Sequence, residues 1–203
     1  MLLRRDFLAS GLSAGLVLAV PSILRAAPES DAAGRLVAAA RRQVGVTTVY
    51  DAAYSKLDYP GGDVPRERGV CTDVIVRAYR DALDIDLQVL VHEDMREAFS
   101  AYPALWGLKK TDRNIDHRRV PNLQAFFKRA GASQAISEEG ADYRPGDIVS
   151  QMLPGNLPHI AIVTDERTSD GSRPLVVHNI GAGARLEDVL LAYPITGHYR
   201  YRV

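Results

Sequence analysis

The segment Arg68-Gly69-Val70-Cys71-Thr72-Asp73-Val74-Ile75-Val76-Arg77-Ala78-Tyr79 decides how this chain folds. Val74, Ile75, Ala78 and Tyr79, continued by Ala82 and Leu83, fall on one stripe of a 3.6-residue period, so a helix is expected from Cys71 onward. Cys71 precedes Val74 and Ile75 by three and four positions and shares that core-facing stripe. It is the only cysteine of the chain. Unpaired N–H groups at a helix start favour a thiolate, so position alone predicts a depressed thiol pKa and a nucleophile. A buried structural cysteine is the plainer alternative.

Two histidines lie on strand-like segments far downstream, His159 in Pro158-His159-Ile160-Ala161-Ile162-Val163 and His178 in Leu175-Val176-Val177-His178-Asn179-Ile180. An imidazole near the thiol can take its proton and return it. If the two strands form a hairpin with Thr164 opposite Arg173, His159 stands directly opposite His178 on one sheet face. His178 is then the group that orients the base.

Helical signals come first. Ser30-Asp31 can cap a helix running to about Gln43, a helix is expected from Glu93 to Ala101, and Pro121 opens another from Asn122 to Ala130, stopped by Gly131. After Arg144-Pro145-Gly146-Asp147 the segments 147–153, 158–164, 174–180 and 196–202 are rich in β-branched and aromatic residues. Helices followed by antiparallel strands imply an α+β domain.

The N-terminus carries Arg4-Arg5-Asp6-Phe7-Leu8, an apolar run from Gly11 to Val20, and Ala26-Ala27. This order reads as a twin-arginine-type signal peptide over 1–26, followed by one domain over 27–203. The expected location is periplasmic or otherwise exported, with no stable membrane span after cleavage. Lys plus Arg and Asp plus Glu both number 25, and removing 1–26 leaves a net charge of about −2. No basic excess points to nucleic acid. A lone thiol cannot form an internal disulfide, and its presence in an exported chain suggests a use.

Several stretches resemble a known family. Pro145-Gly146-Asp147-Ile148-Val149, His159-Ile160-Ala161-Ile162-Val163 and Val177-His178-Asn179 resemble the core strands of the NlpC/P60 papain-like cysteine hydrolases. More closely, Gly69-Val70-Cys71-Thr72-Asp73, Val91-His92-Glu93-Asp94-Met95, Asn114-Ile115-Asp116-His117-Arg118-Arg119, His178-Asn179-Ile180-Gly181-Ala182-Gly183 and Ile195-Thr196-Gly197-His198-Tyr199 resemble the DUF1287 (YijF-like) family. The resemblance implies a papain-like fold, N-terminal helices on an antiparallel sheet, and a cysteine peptidase or amidase with Cys71 as nucleophile, His159 as base and His178 as orienting group. It implies no cofactor. The implied partner is peptidoglycan or another envelope acyl or amide substrate. NlpC/P60 enzymes usually carry Asp-Cys-Ser-Gly where this chain has Val70-Cys71-Thr72-Asp73, so their peptide specificity is not implied here.

Other readings accompany this one. An acyltransferase or esterase-like enzyme would use the same acyl-enzyme chemistry, and a non-catalytic cell-wall-binding module would use none. Cys71, His159 and His178 are also three zinc-type donors, though without the close spacing of a zinc motif. His117, Arg118 and Arg119 are candidates for gripping an anionic substrate group, with Asp116 as a structural partner; structural ion pairing is the alternative. His92-Glu93-Asp94 reads as a polar cluster near the cleft or as a surface helix cap. Asp73 is expected to favour the helix N-terminus and His198 to be structural. Gly181 and Gly183 are expected to allow a tight turn.

Overall fold

A computed structural model describes residues 30–203. The expected signal peptide lies outside them. Four α-helices and a five-stranded antiparallel sheet make up the mixed α+β architecture of the described residues. The helices are α1 (Ser30–Arg41), α2 (Cys71–Leu83), α3 (Leu87–Glu97) and α4 (Val120–Arg129). A short parallel pair, β1 (Val49–Tyr50) and β2 (Arg68–Gly69), precedes α2. The main sheet contains β3 (Ile148–Leu153), β4 (Leu157–Arg167), β5 (Pro174–His178), β6 (Arg185–Glu187) and β7 (Ile195–Tyr199), in the order β6-β5-β4-β3-β7. No helix among the described residues is long and apolar enough to cross a membrane.

Helix α2 is the central element, with every residue from Cys71 to Tyr79 buried. Its stripe meets Ile148, Ile160, Ile162 and Val177 on one face of the sheet. Alternation along the strands sends Val149, Ala161, Val163 and Val176 to the other face, where they pack with Tyr143 and Leu190. Arg77, fully buried on α2, is balanced by Asp63 at 2.8 Å and by the carbonyls of Val64 and Arg68. A buried guanidinium survives because each of its three nitrogens meets an acceptor, Nη1 through the Thr47 hydroxyl.

Three expectations change. Helix α3 starts at Leu87 rather than Glu93, because the Asp86 side chain caps it by accepting from the Gln88 N–H at 3.0 Å. Residues Phe99–Ala101 form a separate 3₁₀ turn. The strand pairing also differs: Ile162 stands opposite Val177, and a bulge follows between Val163 and Arg167. His159 is therefore two residues out of the expected register with His178. A shift of two leaves both on the same face. Strand β6 and the β1–β2 pair, each two or three residues long, were not expected.

Candidate active site

The site begins where α2 begins. Val70 is the extended residue before the helix, and its N–H donates to Asp73 Oδ2 at 2.7 Å. The same carboxylate takes Nε and Nη2 of Arg118, each at 2.9 Å. Arg118 spends its other donors on the carbonyls of Ala53 and Asp51, at 3.2 and 3.1 Å. Burial alone would lower the Arg118 pKa; the Asp73 bonds outweigh it and raise it. Asp73 thus acts on the helix start, as expected. Gly69 allows this approach, since a Cβ there would lie 2.9 Å from the Asp73 carboxylate. The Asn179 amide donates to the Gly69 carbonyl at 3.0 Å and ties the loop before Cys71 to the end of β5.

Cys71 sits at this start and is 5% exposed. Burial pushes its thiol up to about 12, and the Asp73 charge adds to the rise. The N–H groups of Ile160, Thr72 and Cys71 itself act in the opposite direction without overcoming it. The expected depressed pKa is therefore corrected. The helix start does favour the anion, but a buried thiolate costs more than these dipoles return. In the resting protein Cys71 is a thiol.

His159 and His178 are joined. His159 Nε2 lies 3.1 Å from His178 Nδ1, with the rings edge to face. His178 Nε2 lies 2.9 Å from Glu187 Oε2 on β6. Burial, then His178, lowers the His159 pKa to about 3. Burial also lowers that of His178, with Glu187 opposing. Both imidazoles are neutral at pH 7, so each carries one N–H. A carboxylate only accepts, so His178 donates from Nε2 and its Nδ1 is bare. That Nδ1 then accepts from His159 Nε2–H, leaving His159 Nδ1 as the unprotonated nitrogen. Glu187 thereby selects the tautomer of an imidazole two side chains away.

The thiol and the imidazole pair approach from two sides of β4. His159 follows the alternation of Ala161 and Val163, while Cys71 belongs to the helix-side cluster with Ile160 and Ile162. Their nearest common point is Ile160, which directly follows His159 and whose N–H acts on the thiol. Among the described residues no hydrogen bond links Cys71 to either imidazole.

Cys71 opens into a cavity of about 180 Å³ lined in part by Tyr50, Trp106, Arg118, Arg119 and Pro158. Of the three expected substrate contacts, Arg119 and Arg118 line it and His117 does not. His117 is buried, its Nδ1 has no hydrogen-bond partner, and burial followed by Arg118 lowers its pKa to about 3. Arg118 is committed to Asp73 and two carbonyls. Arg119 alone of the three keeps guanidinium donors uncommitted. His92 pairs with Asp116 at 2.9 Å, and Asp94 holds Arg129 and Tyr102; both lie within α3 and neither caps it. His198 is held by Asp147 and the Ala135 carbonyl, a structural role as expected. Among the described residues no three His, Cys, Asp or Glu side chains converge as metal ligands, so the zinc reading finds no geometry here.

Sequence reasoning missed Glu187, Tyr50 and Trp106. For Glu187 a signal existed. Gly181 and Gly183 make the turn after His178, and Gly183, at φ +85, runs so close to the Thr47–Thr48 backbone that a Cβ would collide. A chain reversing there returns alongside β5, placing Glu187 opposite Val176 and so on the His178 face. On the hydrolase reading, replacing Glu187 with leucine, which cannot accept from His178 Nε2–H, should lower kcat by roughly ten- to a hundredfold with little change in KM. Nitrogen NMR of the imidazoles should show His178 losing its single Nε2–H tautomer. An unchanged tautomer would remove Glu187 from the relay.

The sequence matches the family described as "Domain of unknown function (DUF1287)" over residues 37–201. It is also 56% identical over 164 residues to a protein of Escherichia coli (strain K12) described as "Uncharacterized protein YijF". That match covers 81% of this chain and 79% of the relative.

Proposed function

We propose that this chain, which belongs to the DUF1287 family, is an exported cysteine hydrolase of papain-like, NlpC/P60 type that cleaves an amide bond in the cell envelope, a peptide of peptidoglycan being the leading substrate. One observation carries the proposal. The only thiol stands at the start of a buried helix beside a cavity, against the strand that begins a histidine–histidine–carboxylate chain. A structural cysteine needs neither the cavity nor a chain of buried imidazoles with one bare nitrogen.

The chemistry follows general-base logic. In this reading His159 Nδ1 takes the thiol proton as sulfur attacks the amide carbonyl, which requires the ring to reach past Ile160 from its own side of β4 to the helix side on which Cys71 stands. The backbone N–H of Cys71 stabilises the oxyanion that forms. His159 then gives the proton to the leaving amine, and an acyl group remains on Cys71. Water, deprotonated by the same nitrogen, releases the acid and restores the thiol. His178 and Glu187 hold His159 in the required tautomer throughout. Export follows from the twin-arginine-type segment at the N-terminus.

The test uses purified peptidoglycan and simple acyl esters with the wild type and Cys71→Ala. New amine and carboxyl termini should appear with the wild type and be absent with the variant, as read by mass spectrometry. Transfer of the acyl group to an added amine would instead mark an acyltransferase. Equal binding of wall fragments by both proteins without turnover would identify a binding module.

A further inference from the structure

We propose that Arg119 and Trp106 form an anion subsite beside Cys71, which takes a carboxylate carried by the acyl substrate. The inference rests on the reading of Cys71 as the nucleophile and names the substrate chemistry of that same site.

Arg119 differs from Arg77 and Arg118. Arg77 and Arg118 are satisfied by carboxylates and carbonyls. Arg119 Nη1 is buried and has no hydrogen-bond partner. Burial lowers its pKa; Asp116 and Asp112 oppose this at longer range, and neither hydrogen-bonds it. The side chain as a whole is only part-buried and lines the cavity, so an anion bound there can reach its guanidinium. The side chain is not loose, because its guanidinium carbon stacks 4.2 Å from the centre of the Trp106 ring.

Trp106 is the second, independent observation. It is 54% exposed and sits at φ +59, in the left-handed region. With Gly107 at φ +64 it forms the two central positions of a primed turn, closed by Leu108 N–H to Leu105 O at 3.4 Å. Such a turn selects glycine, asparagine or aspartate at those positions, and a bulky residue there is strained. Strain that places a large exposed ring over an unpartnered cation marks a built binding surface.

The charge balance of the cavity agrees. Asp73 is neutralised by Arg118, so Arg119 contributes a positive charge that no hydrogen-bonded carboxylate answers. The cavity, about 180 Å³, is below the usual range for drug-sized ligands. It suits one residue-sized group with an anionic end, and the planar fork of Arg119 matches a carboxylate.

The experiment measures alkylation of Cys71 in the full chain at pH 7 by iodoacetate and by iodoacetamide, each rate divided by that of free glutathione. The two reagents differ in charge and share the leaving group. The normalised iodoacetate-to-iodoacetamide ratio should be roughly tenfold above unity in the wild type. It should fall to about unity in Arg119→Gln, lie between in Arg119→Lys, and fall also in Trp106→Ala, whose exposed side chain is removable without disturbing the core. A wild-type ratio near unity, or a high ratio kept by Arg119→Gln or Trp106→Ala, would overturn the proposal. This readout needs no turnover. A failure of the hydrolase reading shows separately, as absent Cys71-dependent cleavage.

Discussion

Replacing His159 with alanine should lower turnover of a peptide amide roughly a thousandfold. The reason is the resting state of the nucleophile. With its thiol pushed up to about 12, Cys71 carries about one thiolate in 10⁵ molecules at pH 7. On the proposed mechanism the proton moves as sulfur attacks, with the bare Nδ1 of His159 as its acceptor. The pH profile of kcat/KM should be level from about pH 5 to 9, because His159 protonates only near 3 and the thiol ionises only near 12. A bell with limbs near pH 4 and 8.5 would instead report a preformed thiolate–imidazolium pair and sink this account. The double variant His159→Ala/His178→Ala should be little worse than His159→Ala, since His178 acts through His159. Steady-state kinetics on the four proteins of that cycle decides the point.

The fold should weaken steadily in mild acid, before most carboxylates titrate. His117 and His159 are both held near 3 by burial, against about 6.5 in an unfolded chain. Their folded pKa values are depressed, so below pH 6.5 the unfolded state binds protons that the folded state refuses. Stability then falls with falling pH by about 1.4 kcal/mol per unit for each histidine, down to about pH 3. At pH 5 the two together remove about 4 kcal/mol, a large share of the roughly 5–15 kcal/mol that holds a domain folded. His178, lowered in the same direction, adds to the loss. Urea midpoints measured from pH 7.5 to 4.5 should drop steadily, and His117→Gln should flatten the slope by about the share of one histidine. A midpoint unchanged between pH 7 and 5 would refute the burial of these neutral imidazoles.

Much of this arrangement was legible in the sequence, for reasons that vary by element. Helix α2 was readable because Val74, Ile75, Ala78 and Tyr79 repeat at helical spacing and all four are buried. The helix signal of Pro121 and Gly131 places α4 within two residues. The shared face of His159 and His178 was readable from parity, whereas their register was not. A bulge between Val163 and Arg167 changes the pairing, and a slip of two residues leaves the face pattern intact. The sign of the Cys71 shift was out of reach, because the helix start is local and burial is set by strands ninety residues away in the chain. Glu187 was lost because a three-residue strand carries too little pattern by itself, and only the glycine turn after His178 signalled that the chain returns there.

The aromatic seam behind α2 has a consequence for the order of synthesis. Tyr199 and Tyr201 stack on Phe126 and Phe127, and the Tyr79 hydroxyl donates to the Tyr201 carbonyl at 2.9 Å. Strand β7, which leads into this segment, fills the sheet edge beside β3. The helical first half therefore emerges from the ribosome with the Tyr201 side of this seam uncovered. The seam is expected to close only after the residues around Tyr201 have been made, so the helices and the sheet should consolidate against each other late in synthesis.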